Sequence, residues 1–151
     1  MKTRILFLFI AGALICLYSC KKNNTSTTPL PLSHWTINGV SDSSSTVSAA
    51  NNTNFICLTN DQKKSISVNF FSAINRSSTY KVANFLKDST DCVISVNDGD
   101  SLIYISSGIV SDSLFENFSN NIITLTFNNI SVHNISNTAT VSGVLSFNST
   151  N

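Results

Sequence analysis

Apolar and polar residues alternate along much of this chain with a period of two, as in a strand that buries one face. Ile66, Val68 and Phe70 share one face of Ser65 to Phe71, with Ser65, Ser67 and Asn69 on the other. Cys92, Ile94 and Val96 alternate in the same way, as do Ile123, Leu125 and Phe127, and then Val141, Gly143, Leu145 and Phe147. Shorter strands are expected over His34–Ile37, Thr46–Ala50, Phe55–Thr59, Tyr80–Phe85 and Leu102–Ser106. Asn38-Gly39 and Asp98-Gly99 are signals for type I′ hairpins, whose central residues need positive φ. Asn51–Asn54, Asn60–Lys64 and Lys87–Asp91 read as turns, Ser41–Ser45 as a Ser-rich patch, and Asn128-Asn129 as a bulge or turn. Over Ser111–Asn121 the alternation fails. Leu114, Phe115 and Phe118 there predict a short helical turn or a buried loop. Eight to ten short strands without a helix-length crossover predict an all-β, antiparallel β-sandwich, with an up-and-down barrel as the alternative.

Composition supports the same class. Ser, Thr and Asn number 26, 15 and 20 of 151 residues, and Ser and Asn compete for backbone hydrogen bonds inside helices. Glu116 is the only glutamate and Gln62 the only glutamine. Hydrophobic residues make up 42% of the chain, including ten Phe, which is too apolar for a solvated coil. Charged residues are only 11%, against roughly 25% in an ordinary soluble domain.

The N-terminus follows a different pattern. Lys2 and Arg4 precede an apolar run from Ile5 to Ile15, broken only by Gly12. This predicts a secretory signal peptide over residues 1–19 rather than a spanning helix, which needs about 20 apolar residues. Leu17, Ser19 and Cys20 resemble the lipobox of bacterial lipoproteins, although Tyr18 is bulkier than the usual residue there. That resemblance implies cleavage before Cys20 and a diacylglycerol on its thiol. An ordinary signal peptide with an accidental cysteine is the alternative. Residues 20–33, rich in Ser, Thr, Asn and Pro, then form a flexible tether, and 34–151 the folded domain. Loss of Lys2 and Arg4 takes the net charge from +1 to −1, leaving no basic excess to attract nucleic acid.

Motifs for catalysis are missing. His34 and His133 stand far apart, and no Gly-x-Ser-x-Gly elbow, zinc-type Cys/His spacing or Gly-rich phosphate loop occurs. Asp98 and Asp100, near Asp88 and Asp91, lack the ligand number and spacing of a calcium loop. No catalytic residue, metal or cofactor is therefore expected. Cys57 and Cys92 could close a loop of about 36 residues, worth roughly 4 kcal/mol, or remain two buried thiols. Trp35, Phe70, Tyr80 and Tyr104 are expected in the core or at its rim, with Phe71 turned outward.

Several segments resemble small lipoproteins of unknown function from Bacteroidota: Ser19-Cys20-Lys21-Lys22, Trp35-Thr36-Ile37-Asn38-Gly39, Val93 to Gly99, Tyr104 to Gly108, Thr124 to Ile130 and Thr140-Val141-Ser142-Gly143. The resemblance implies a β-sandwich held at the cell envelope, at the outer membrane, by lipid on Cys20. It brings no catalytic residues. Lys21-Lys22-Asn23-Asn24 lacks the acidic residues that accompany surface export in that group, which leaves the periplasmic and surface orientations both open. Asp88-Ser89-Thr90 and Asp112-Ser113-Leu114 fit the O-glycosylation pattern of that group and make Ser89 and Ser113 candidate sites, although chance triplets in Ser- and Asp-rich loops are the slightly favoured reading. The expected role is a non-catalytic binding or structural module at the envelope. The alternatives are a barrel holding a small apolar molecule and, less favoured, an envelope hydrolase. The residues specify no protein or glycan partner.

Overall fold

A computed structural model describes residues 30–99 and 103–149. The segment 1–19, Cys20, the tether up to residue 29, Asp100 and Leu102 lie outside the described residues. The rest forms eleven strands: β1 (Ser33–Ile37), β2 (Val40–Ser44), β3 (Thr46–Ala50), β4 (Asn54–Leu58), β5 (Ser65–Phe70), β6 (Ser78–Val82), β7 (Asp91–Asn97), β8 (Ile103–Ser106), β9 (Ser113–Ser119), β10 (Ile122–His133) and β11 (Thr138–Asn148). Ser33, assigned to the tether by sequence, belongs to β1. It pairs with Ser44, and its hydroxyl accepts from Ser146 N at 2.9 Å.

The strands hydrogen-bond in the order β2-β1-β11-β10-β9-β6-β7-β5-β4-β3, and β8 bridges β10 and β7. All pairs are antiparallel except β6 with β7, which touch only through Lys81–Asp91 and Val82–Cys92. This parallel contact departs from the antiparallel expectation. It needs no helical crossover because each strand is held mainly by its antiparallel neighbours. A bulge at Asn128-Asn129, with Asn129 at φ 50, shifts the register of β10. Below it β10 pairs with β9, and beyond it Val132 and His133 pair with β8. The strands β10, β9, β6, β7 and β8 therefore close into a ring.

Two wings leave this ring and cover each other. Phe55 of β4 meets Phe147 of β11 with ring centroids 4.9 Å apart, and the Ser44 hydroxyl of β2 donates to Leu58 O of β4. The result is two packed layers, sandwich-like at the wings and barrel-like at the ring, with core side chains filling the space between them. One row of the core crosses five strands: Trp35, Gly143, Phe127, Leu114 and Tyr80. Glycine is required within it. A Cβ at residue 143 would lie 2.9 Å from His34 O and Phe127 Cζ and 3.0 Å from Trp35 Cβ.

Two strands were not foreseen. β2 contains mostly Ser and Asp, poor strand formers, but the Asn38-Gly39 turn (φ 48 and 81) folds it back onto β1. β9 replaces the expected helical turn or loop. Its inward residues begin Leu114, Glu116, so a carboxylate interrupts the apolar alternation, while exposed Phe115 adds a false helical spacing. Asn120-Asn121, both at positive φ, make the tight turn from β9 into β10. The Asp98-Gly99 signal, by contrast, gives no two-residue hairpin. Asn97 pairs with Ile103, and Gly99 has positive φ whereas Asp98 does not.

Candidate functional site

β8 is held on both sides, and this fixes which of its residues face outward. The buried Ser106 hydroxyl donates to Ala83 O and accepts from Ile94 N at 3.3 Å. Tyr104 and Ser106 then point inward, and Ile103 and Ile105 are left 58% and 41% exposed. Beside them β10 ends at His133, and the chain turns through Asn134–Asn137. Asn134 Oδ1 accepts from Ser136 N at 2.9 Å and Asn137 N at 2.7 Å, a tight Asx turn that leaves Ile135 fully exposed.

These residues line an open groove of about 680 Å³: Ile103, Ile105 and Ile135 as its apolar part, with His133, Asn134, Ser136 and Asn137 around them. His133 Nδ1 lies 3.2 Å from the Ser107 hydroxyl, which is itself 3.2 Å from the Ser131 hydroxyl. The volume suits a small-molecule site, and the lining combines apolar surface with a few polar groups. Ile103, Ile105 and Ile135 come together here, whereas other exposed apolar residues such as Val40, Phe71 and Phe115 lie outside the groove.

The most unusual polar group lies in the core. Glu116 is fully buried, and neither carboxylate oxygen has a hydrogen-bond partner. Its neighbours along the row are Leu145, Leu125 and Ser78. Burial raises its pKa from 4.5 to about 7. Tyr80 is raised too, first by burial and then by the charge of Glu116, while Arg76 opposes the shift. Sequence reading missed Glu116 as an inward residue. Its one signal was position: it stands two residues from Leu114 and from Phe118.

The expected site residues are scattered. Ser89 is exposed in the turn before β7, and Ser113 is exposed at the start of β9. His34 pairs with Val144 and His133 with Thr138, six residues apart along β11 and so roughly 20 Å. Asp91 opens β7 and Asp98 follows its end, roughly 23 Å away. Asp98 is held by Lys64 Nζ at 3.1 Å, and Asp42 binds the same ammonium at 3.3 Å. Trp35, Phe70, Tyr80 and Tyr104 are core residues, and Phe71 is exposed.

Cys57 and Cys92 are free, buried thiols, so the alternative of a bridge does not hold. β5 separates their strands, and Cys57 aligns through Ile66 with Val96, four residues from Cys92. Their Cα atoms are therefore roughly 16 Å apart, far beyond the 7 Å limit for a disulfide. Burial pushes Cys57 up to about 11, slightly offset by a hydrogen bond with Ser33, and Cys92 up to about 12 with help from Asp91.

Fold and surface together define a small all-β domain that is packed inside and carries its recesses outside. No protein-family model, no curated protein and no solved structure matches this chain.

Proposed function

We propose that this chain is a non-catalytic binding module, lipid-anchored at the cell envelope through Cys20, that takes a small amphipathic molecule into the Ile103–Ile105–Ile135 groove. The observation that carries this is the groove itself, three exposed isoleucines ringed by a histidine and short amides. A ligand with an apolar body and a polar end fits that lining. Its body would cover the isoleucines, and its head would meet His133, Asn134 or Asn137. The apolar ligand of the barrel alternative thus finds its place outside, because core side chains fill the interior.

The groove lies far from the start of β1. The chain enters the domain at Ser33, whose hydroxyl donates to Ser146 O at 3.3 Å, whereas the groove lies by Thr138, eight residues away along β11. That is roughly 27 Å of strand between the groove and the point where the described chain enters the sheet. Hydrolysis is disfavoured because the two histidines are far apart and, among the described residues, the one carboxyl of raised pKa is sealed in the core.

Calorimetric titration of residues 21–151 with decanoate tests the reading. Saturable one-to-one binding is expected, weakened about tenfold by Ile105→Asn, since losing one buried isoleucine contact is worth about 1.4 kcal/mol or more. Equal affinity of the variant, or no saturable heat, would overturn it.

A further inference from the structure

A second recess lies beside β6, remote in sequence from the isoleucine groove and of opposite chemistry. It has a volume of about 390 Å³, and its walls are the segment 72–76, the first half of β6 and the turn at Ser89-Thr90. Its lining is mostly hydroxyl, amide and guanidinium, with Ala73 and Tyr80 adding apolar surface.

Both walls are fixed in place. In the first, Ile74 is buried and its N–H donates to Asn52 O at 2.9 Å. Ser77 fastens the same segment to β9: its hydroxyl accepts from Phe118 N at 3.0 Å and donates to Asn117 Oδ1 at 3.3 Å. In the second, Asp88 Oδ1 accepts from Thr90 N at 2.8 Å and from the Thr90 hydroxyl at 2.6 Å. Asp91 Oδ2 accepts from Lys87 N at 2.9 Å and from Asp88 N at 3.3 Å. The recess is therefore preorganised, which lowers the ordering cost of binding.

Most of the polar side chains that line it are unspent, the Thr90 hydroxyl being held by Asp88. The side chains of Ser72, Asn75, Arg76, Ser78, Tyr80 and Ser89 make no hydrogen bond or ion pair with the described residues. Elsewhere the same residue types are engaged, as Ser44, Ser106, Ser142 and Asn134 are. Arg76 is the one charged side chain in the lining. Ser78 is the register partner of the buried Glu116.

We propose that this recess is a second binding site, for a short saccharide that bears one carboxylate. Arg76 holds the carboxylate by its two-pronged donor face, which matches that geometry where a lysine would not. The hydroxyls of Ser78, Tyr80 and Ser89 and the amide of Asn75 meet the sugar hydroxyls, which both donate and accept. An apolar ligand would leave these groups unpaired. A simple anion would use Arg76 alone and leave the remaining lining without a role.

The test is a backbone-amide NMR titration of the mature lipidated chain in detergent micelles, with D-glucuronate, D-glucose and acetate as probes. Glucuronate is expected to shift the amides around Arg76, Ser78 and Tyr80 saturably, at least tenfold more tightly than glucose. Acetate should bind at least tenfold more weakly than glucuronate. Arg76→Ala should erase the preference for glucuronate over glucose, and Arg76→Lys should restore only part of it. Arg76 is exposed and its side chain makes no hydrogen bond or ion pair with the described residues, so neither variant removes a contact the described fold depends on. Equal affinity for glucuronate and glucose, equal affinity for acetate and glucuronate (an anion site only), or an unchanged preference in Arg76→Ala would each overturn the proposal. Decanoate serves as an internal control, because its shifts fall on the isoleucine groove and report on that site separately.

Discussion

Raising the pH should destabilise this domain in a range where most proteins are near their most stable, and Glu116 is the cause. Its carboxyl titrates near 4.5 when exposed and at about 7 when folded. Between those values the folded state holds a proton that the unfolded state has released, so stability falls as pH rises. The loss starts above pH 4.5, amounts to about 3 kcal/mol, and levels off above pH 7. For a domain of this size that corresponds to about 10 °C in melting temperature. Other perturbed groups act outside the window. Asp61 and Asp88, lowered by hydrogen bonds from Thr59 and Thr90, contribute stability that is lost only as pH falls below their ordinary value of 3.8. Cys57 and Cys92, raised by burial, cost stability only above their ordinary value of 9.0. Urea unfolding at pH 5 and pH 8 measures the effect. Wild type should lose about 3 kcal/mol between the two, whereas Glu116→Gln should lose almost nothing. Glu116→Leu should exceed wild type at pH 8 by a similar amount, because it removes an unpaired buried charge. A flat or rising wild-type profile, or an unchanged slope in Glu116→Gln, would refute the argument.

Three further outcomes are expected. Gly143→Ala should cost about 1–3 kcal/mol in urea unfolding, because the new methyl meets fixed backbone and the Trp35 stem; a neutral result would mean that the Trp35–Phe127 row can shift. Cys57 and Cys92 should resist a thiol reagent at pH 8 in the folded protein and both react in denaturant, with the same electrophoretic mobility with and without reductant; a mobility change on reduction would reveal a bridge. Cys20→Ala should move the protein from the detergent phase to the aqueous phase in Triton X-114 partition of whole cells; retention in the detergent phase would rule out Cys20 as the anchor.

Strands whose inward residues are apolar were legible from alternation alone, as β5, β7, β11 and the first half of β10 show. β2 was hidden because its pairing comes from the turn before it, not from its own side chains. β9 was hidden by Glu116, and hidden with it was a fully buried carboxyl without a hydrogen-bond partner. The bulge at Asn128-Asn129 could be read, but not its consequence, that one strand changes partner and closes a ring. Both recesses also lay beyond sequence reasoning. Ile103 and Ile105 count as ordinary strand residues until the pairing of β8 fixes which face is covered. Ser72 to Arg76 and Ser89 come together only because Ser77 and Asp91 hold their segments. The cysteines were ambiguous for the same reason, since two strand registers decide their separation.

Isoleucine-methyl NMR of residues 21–151 titrated with decanoate tests the central claim most directly. The account predicts saturable shifts at Ile103, Ile105 and Ile135, with the core methyls of Ile66, Ile94 and Ile123 unmoved. Shifts in the core methyls without those three, or no saturable shift at all, would contradict it.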